Sequence, residues 1–112
     1  MSKFDEAVEK YLAENKNLKL GISEDFLRKV AKGLGPSIYN KDAETIASSD
    51  SSELETVKKN FLIKKLGLND SPELDKAIQE VVEKLGVSNR NKYRALFYAL
   101  LAIKFKKESV YN

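Results

Sequence analysis

The chain has 112 residues, 42% of them apolar and 33% charged, with a formal net charge of +3 and neither Cys nor His. Lack of Cys excludes disulfides, thiolate nucleophiles and Cys-ligated zinc, and lack of His excludes the imidazole base of Ser-His-Asp and HExxH sites. The length predicts a single domain over residues 1–112, large enough for one core.

Apolar residues recur at helical spacing nearly throughout, and no stretch alternates as a strand would. Phe4, Val8, Tyr11 and Leu12 line a first helix over about residues 2–15. Ser23 caps a second, with Phe26, Leu27, Val30, Ala31 and Leu34 as its stripe, and Gly35-Pro36 stops it. Residues 36–51 read as a polar loop with one helical turn around Asp42 to Ile46. Its apolar residues Ile38, Tyr39 and Ile46 would let it fold back on the core, as one wall of a groove or as a packed loop with a serine tip. Ser52 and Glu55 make a capping box for a third helix, striped by Leu54, Val57, Phe61, Leu62 and Leu66 and ended by Gly67.

Ser71-Pro72 starts a fourth helix, with Leu74, Ala77, Ile78, Val81, Val82 and Leu85 on its apolar face, and Gly86 ends it. Ser88 is expected to cap a fifth helix running to about Lys106. That helix is apolar around most of its circumference, which predicts a central position. It also suggests self-association, should four small neighbours leave part of it uncovered. Its longest apolar run, Ala95 to Ile103, is nine residues, about half a membrane span. With no basic segment leading into an apolar N-terminal stretch, a soluble cytoplasmic chain without membrane partners is expected. The fold class is therefore all-α, a compact bundle of about five helices. A faint repeat aligns Leu27 to Ser37 with Ile78 to Ser88, which admits a duplicated helix pair.

Three runs resemble a known family: Lys32-Gly-Leu-Gly-Pro-Ser-Ile-Tyr-Asn40, Asn60-Phe-Leu-Ile-Lys-Lys-Leu-Gly67 and Ser88-Asn-Arg-Asn-Lys-Tyr-Arg-Ala95. The family is one of small bacterial proteins of about this length, a domain of unknown function numbered 2853. The likeness extends from Met1 to Ser109. It implies a bacterial, soluble, all-helical protein, and it carries over no catalytic or binding residues.

Charge is uneven along the chain. Residues 1–55 hold 8 Lys/Arg and 11 Asp/Glu, whereas residues 56–112 hold 12 and 6. A basic half can attract the acidic half, another molecule or an anion. The segment Glu83 to Arg94 looks like a helix-turn-helix, with Gly86 in the turn and Arg90, Lys92 and Arg94 opening the next helix. The spacing fits poorly, because Lys92 stands where a buried aliphatic belongs. A helix apolar from Ala95 onward also lacks the polar face that a recognition helix needs. Arg90, Lys92 and Arg94 at a helix start would suit a phosphate or an acidic side chain. Lys58, Lys59, Lys64 and Lys65 would extend that basic surface if the third helix lies beside the fifth. Tyr93 and Tyr98 would then be base-stacking groups or, more simply, core-edge tyrosines.

The Gly33-Leu34-Gly35 run lacks a third glycine and follows a helix, so helix termination explains it better than a dinucleotide loop. Glu24, Asp25, Asp42, Glu44, Asp70, Glu73 and Asp75 lie near helix starts or in the loop, where acids have a structural reason to be. No catalytic constellation, metal-ligand spacing or cofactor motif emerges. The expected function is a non-catalytic interaction module with an unknown protein partner or a second copy of itself. The second reading is weak nucleic-acid binding through the basic half.

Overall fold

The computed structural model describes residues 2–111, apart from the side chain of Asp42. Six α-helical segments are present among them: α1 (Lys3–Asn17), α2 (Glu24–Leu34), α3 (Lys41–Glu44), α4 (Ser51–Thr56), α5 (Pro72–Leu85) and α6 (Arg94–Lys104). The protein is an all-α bundle. α3 is a single turn, so five longer helical bodies remain. No helix among the described residues is long and apolar enough to cross a membrane.

Local chemistry sets most of the boundaries. Ser2 Oγ accepts from the Asp5 amide to open α1, and Ser23 Oγ accepts from the Phe26 amide to open α2. Gly35 leaves α2 with a φ of 64°, and a 3-10 turn over Gly35–Tyr39 follows at once. The 36–51 segment does fold back on the core. Ile38 and Ile46 are buried, whereas Tyr39 is exposed. The third long helix starts two residues earlier than Ser52 would set it. Asp50 takes the cap, its carboxylate accepting from the Ser52 and Glu53 amides. A carboxylate at that position also suits the helix dipole. Ser71 stands at the N-cap of α5 in extended conformation without a side-chain cap bond, so Pro72 carries that start.

α4 does not continue as an α-helix. Val57–Ile63 form a seven-residue π segment, with amides bonding five residues back: Lys64 N to Lys59 O at 3.1 Å and Leu66 N to Phe61 O at 2.9 Å. The apolar pattern explains the widening. After Val57 and Phe61, a 3.6-residue repeat would place the next apolar residue at Lys64 or Lys65. Leu66 stands there instead, nine positions after Val57. Two turns over nine residues bury Val57, Phe61, Leu62 and Leu66 together. Lys64 and Lys65 stay in solvent.

α6 is the central helix. Every residue from Ala95 to Ala102 is buried, against α2, α5, α1 and α3. The apolar surface behind the expectation of self-association is therefore covered within one chain, and exposure resumes at Ile103. α6 starts later than Ser88 would set it. Residues 87–93 are turn and extended chain, with Tyr93 as the cap position. α4 and the π segment run alongside α6 in the same direction. Glu53 meets Arg94, the Phe61 ring stacks on Tyr98 at 3.9 Å, and Leu68 shares a cavity wall with Phe105.

After α6 the chain turns at Lys106 (φ 57°) into a last 3-10 turn, Glu108–Tyr111. Tyr111 sets its ring edge on Phe26 at 5.7 Å, with the Lys65 ammonium 4.9 Å from its centroid. Gly33 makes room for it: a Cβ there would stand 3.2 Å from the Tyr111 ring.

Candidate functional site

The connection from α5 to α6 is built around one amide side chain. Gly86 turns the chain at a φ of 101°, in the region that favours glycine. The Asn89 amide then donates to Gly86 O at 2.9 Å. Asn89 Nδ2 donates to Leu85 O at 2.8 Å and to Glu14 of α1 at 3.1 Å, and its Oδ1 accepts from the Asn91 amide at 2.9 Å. Such side-chain to backbone bonds compete with helix formation, and here they keep residues 88–92 out of α6.

Lys92 is the second organiser. It is 3% exposed, and its Nζ donates back to Val87 O at 2.9 Å and to Asn89 O at 2.5 Å. Burial pushes its pKa down. Its own carbonyl accepts from the Ile46 amide at 2.9 Å, beside an antiparallel bridge between Thr45 and Tyr93. The folded-back loop and the α5–α6 turn are thus pinned edge to edge. Between them lies a groove of about 300 Å³, lined by Ala47, Ser48 and Ser49 on the loop and by Val87, Ser88 and Arg90 on the turn, with Lys92 in its lining. Val87 is 65% exposed. Arg90 is exposed.

Arg94, Lys58 and Lys59 are engaged elsewhere. Arg94 Nε donates to Ala43 O at 2.8 Å, Nη1 to the Tyr98 hydroxyl at 3.0 Å, and Nη2 to Glu53. Lys58 sits between Asp70 at 3.0 Å and Asp75 at 3.1 Å, which raise its pKa. Lys59 pairs with Glu55 at 3.6 Å. Lys64 and Lys65 follow the π segment at the Phe105 end of the bundle, whereas Arg90 precedes α6. The 11 residues of α6 separate these ends, which is about 16 Å. The structure therefore groups Arg90 with Lys92, turns Arg94 inward, and sets Lys58, Lys59, Lys64 and Lys65 apart from them. Tyr93 packs tilted against the Tyr11 ring, and Tyr98 stacks on Phe61.

A polar cluster supports the loop from behind. Tyr11 is fully buried, and its hydroxyl donates to Glu44 Oε2 at 2.9 Å. Lys10 Nζ reaches the same oxygen at 2.7 Å and lies 5.5 Å from the Tyr93 centroid. These contacts fasten α3 to α1. Burial, with Glu44 as the acceptor, pushes the Tyr11 hydroxyl far above its ordinary value of 10, and burial pushes Tyr111 the same way. A raised folded pKa contributes stability that is complete below the unfolded value and is lost as pH rises above it. Unfolding free energy should therefore fall progressively above about pH 10. Tyr11→Phe should flatten that fall, and urea unfolding across pH 8–11 measures both. An unchanged slope in Tyr11→Phe would contradict the buried hydroxyl.

Val87, Ser48, Ser49 and Asn89 escaped the sequence reading as site residues. Gly86-Val87-Ser88-Asn89 does carry a turn signal, glycine followed by a self-bonding asparagine. The approach of residues 45–49 carries none. No group of three acidic residues able to hold a metal ion occurs among the described residues.

One family model, described as "Protein of unknown function (DUF2853)", matches residues 4–109, nearly the whole chain. A search of curated proteins finds no match.

Proposed function

The chain belongs to the DUF2853 family, and we propose that it is a non-catalytic protein-interaction module, working in the bacterial cytoplasm, whose contact surface is the groove between residues 45–49 and 87–92. The observation that carries this reading is Val87, a large apolar side chain 65% exposed on a turn held by three bonds of Asn89 and two of Lys92. A surface ordered before binding loses little conformational entropy on association. Arg90 beside it, and Lys92, which pairs with no carboxylate among the described residues, favour an acidic segment of a partner protein. The bacterial, cytoplasmic setting draws on the likeness of the chain to small bacterial proteins.

Affinity capture from the native cell extract tests the reading. A partner retained by the wild-type chain should be lost with Val87→Glu/Arg90→Glu and kept with Lys64→Glu/Lys65→Glu at the far end. The opposite pattern would move the surface to the Phe105 end. Binding to labelled DNA or RNA that weakens steeply with salt would favour the nucleic-acid reading instead.

A further inference from the structure

An ammonium group carries three N–H donors. Lys92 gives two of them to the Val87 and Asn89 carbonyls, and no carboxylate among the described residues pairs with it. A buried charge held by neutral groups alone costs free energy that an opposite charge would offset. Two carboxylates of the flanking segments among the described residues are already engaged. Glu14 is held by the Asn89 amide, and Asp50 caps α4 through the Ser52 and Glu53 amides. The groove that Lys92 lines is otherwise rich in donors, with Arg90 and the hydroxyls of Ser48, Ser49 and Ser88.

We infer that this groove is an oxyanion site, taking one carboxylate or phosphate group against the Lys92 ammonium and the Arg90 guanidinium. The serine hydroxyls supply further donors. The inference rests on the proposed contact surface for its location, and it names the group that the partner must present. A carboxylate on an acidic peptide and a free phosphate share the needed chemistry, so the two are tested as separate arms.

The isotopically labelled full chain is titrated by NMR with inorganic phosphate and, in parallel, with a blocked triglutamate peptide, at constant ionic strength. Saturable shifts confined to residues 45–49 and 87–92 are expected. Arg90→Gln, at an exposed position, should weaken binding roughly tenfold, the effect of losing one charge-assisted hydrogen bond. Lys64→Gln should leave it unchanged. Tighter binding of the peptide would assign the site to a protein partner, and tighter binding of phosphate to a free anion. Shifts spread over the whole basic surface, or equal in wild type and Arg90→Gln, would overturn the inference. Partner capture that still depends on Val87 without any oxyanion binding would overturn the inference and leave the interaction reading standing. Oxyanion binding with capture indifferent to Val87 would do the reverse.

Discussion

Phe61→Ala is expected to lower the unfolding free energy by about 3–5 kcal/mol, among the largest effects of any single truncation in this chain. Phe61 is 2% exposed and stacks nearly parallel to Tyr98, with ring centroids 3.9 Å apart and planes 12° from each other. Truncation removes the area burial of a full aromatic side chain and adds roughly 0.5–1.5 kcal/mol for the lost ring pair. The position also sits inside the π segment, which depends on Val57, Phe61, Leu62 and Leu66 all facing the core. A domain of this size is stable by only about 5–15 kcal/mol. The thermal midpoint should therefore fall by roughly 12 °C or more. Urea unfolding of wild type, Phe61→Ala and Phe61→Leu measures the effect, with Leu recovering much of the loss. A cost below about 1 kcal/mol for the alanine would mean that the ring is not packed as described.

Arg94→Met should cost about 2–4 kcal/mol, below the figure for a wholly buried pair because Glu53 keeps 29% exposure. The guanidinium ties three elements together through the Ala43 carbonyl, the Tyr98 hydroxyl and the Glu53 carboxylate. Methionine preserves the apolar stem and deletes every donor, leaving the carbonyl and carboxylate to find water. Lysine should rescue little, since one ammonium cannot reproduce a planar fork. Arg90→Met, four positions earlier, should change stability by less than about 0.5 kcal/mol. Denaturant unfolding of the two methionine variants separates the arginine that builds the site from the arginine that faces outward. Equal losses would contradict that division.

Much of the bundle is legible in the sequence because it is locally determined. α1, α2 and α5 follow from apolar stripes closed by nearby capping serines, a proline or a glycine. The start of α6 is misleading for an equally local reason. Ser88 resembles a cap, yet Asn89 bonds its own neighbours and Lys92 turns back to the carbonyls before it. Asp50 displaces Ser52 in the same manner. The π segment is readable after the fact, from the nine-residue step between Val57 and Leu66, but only by giving up the 3.6-residue repeat.

The candidate site is where sequence reasoning carried least. Counting charges identifies Arg90, Lys92 and Arg94 as a basic cluster without showing which way each points. Lys92 is buried and Arg94 bonds across 51 residues to Ala43, so two of the three build the site from within. The tie from Tyr11 to Glu44 spans 33 residues and has no local signature.

The 45–49 and 87–92 segments are held together by hydrogen bonds that should persist in the free chain, and amide hydrogen exchange reads them one by one. The amides of Ile46, Asn89, Asn91 and Tyr93 each donate to a partner across or within the turn. They should exchange well below free-chain rates, and Lys92→Met should remove that protection together at all four while α2 and α5 stay protected. Exchange of these four amides at free-chain rates in the wild-type protein would show that no such surface exists before binding.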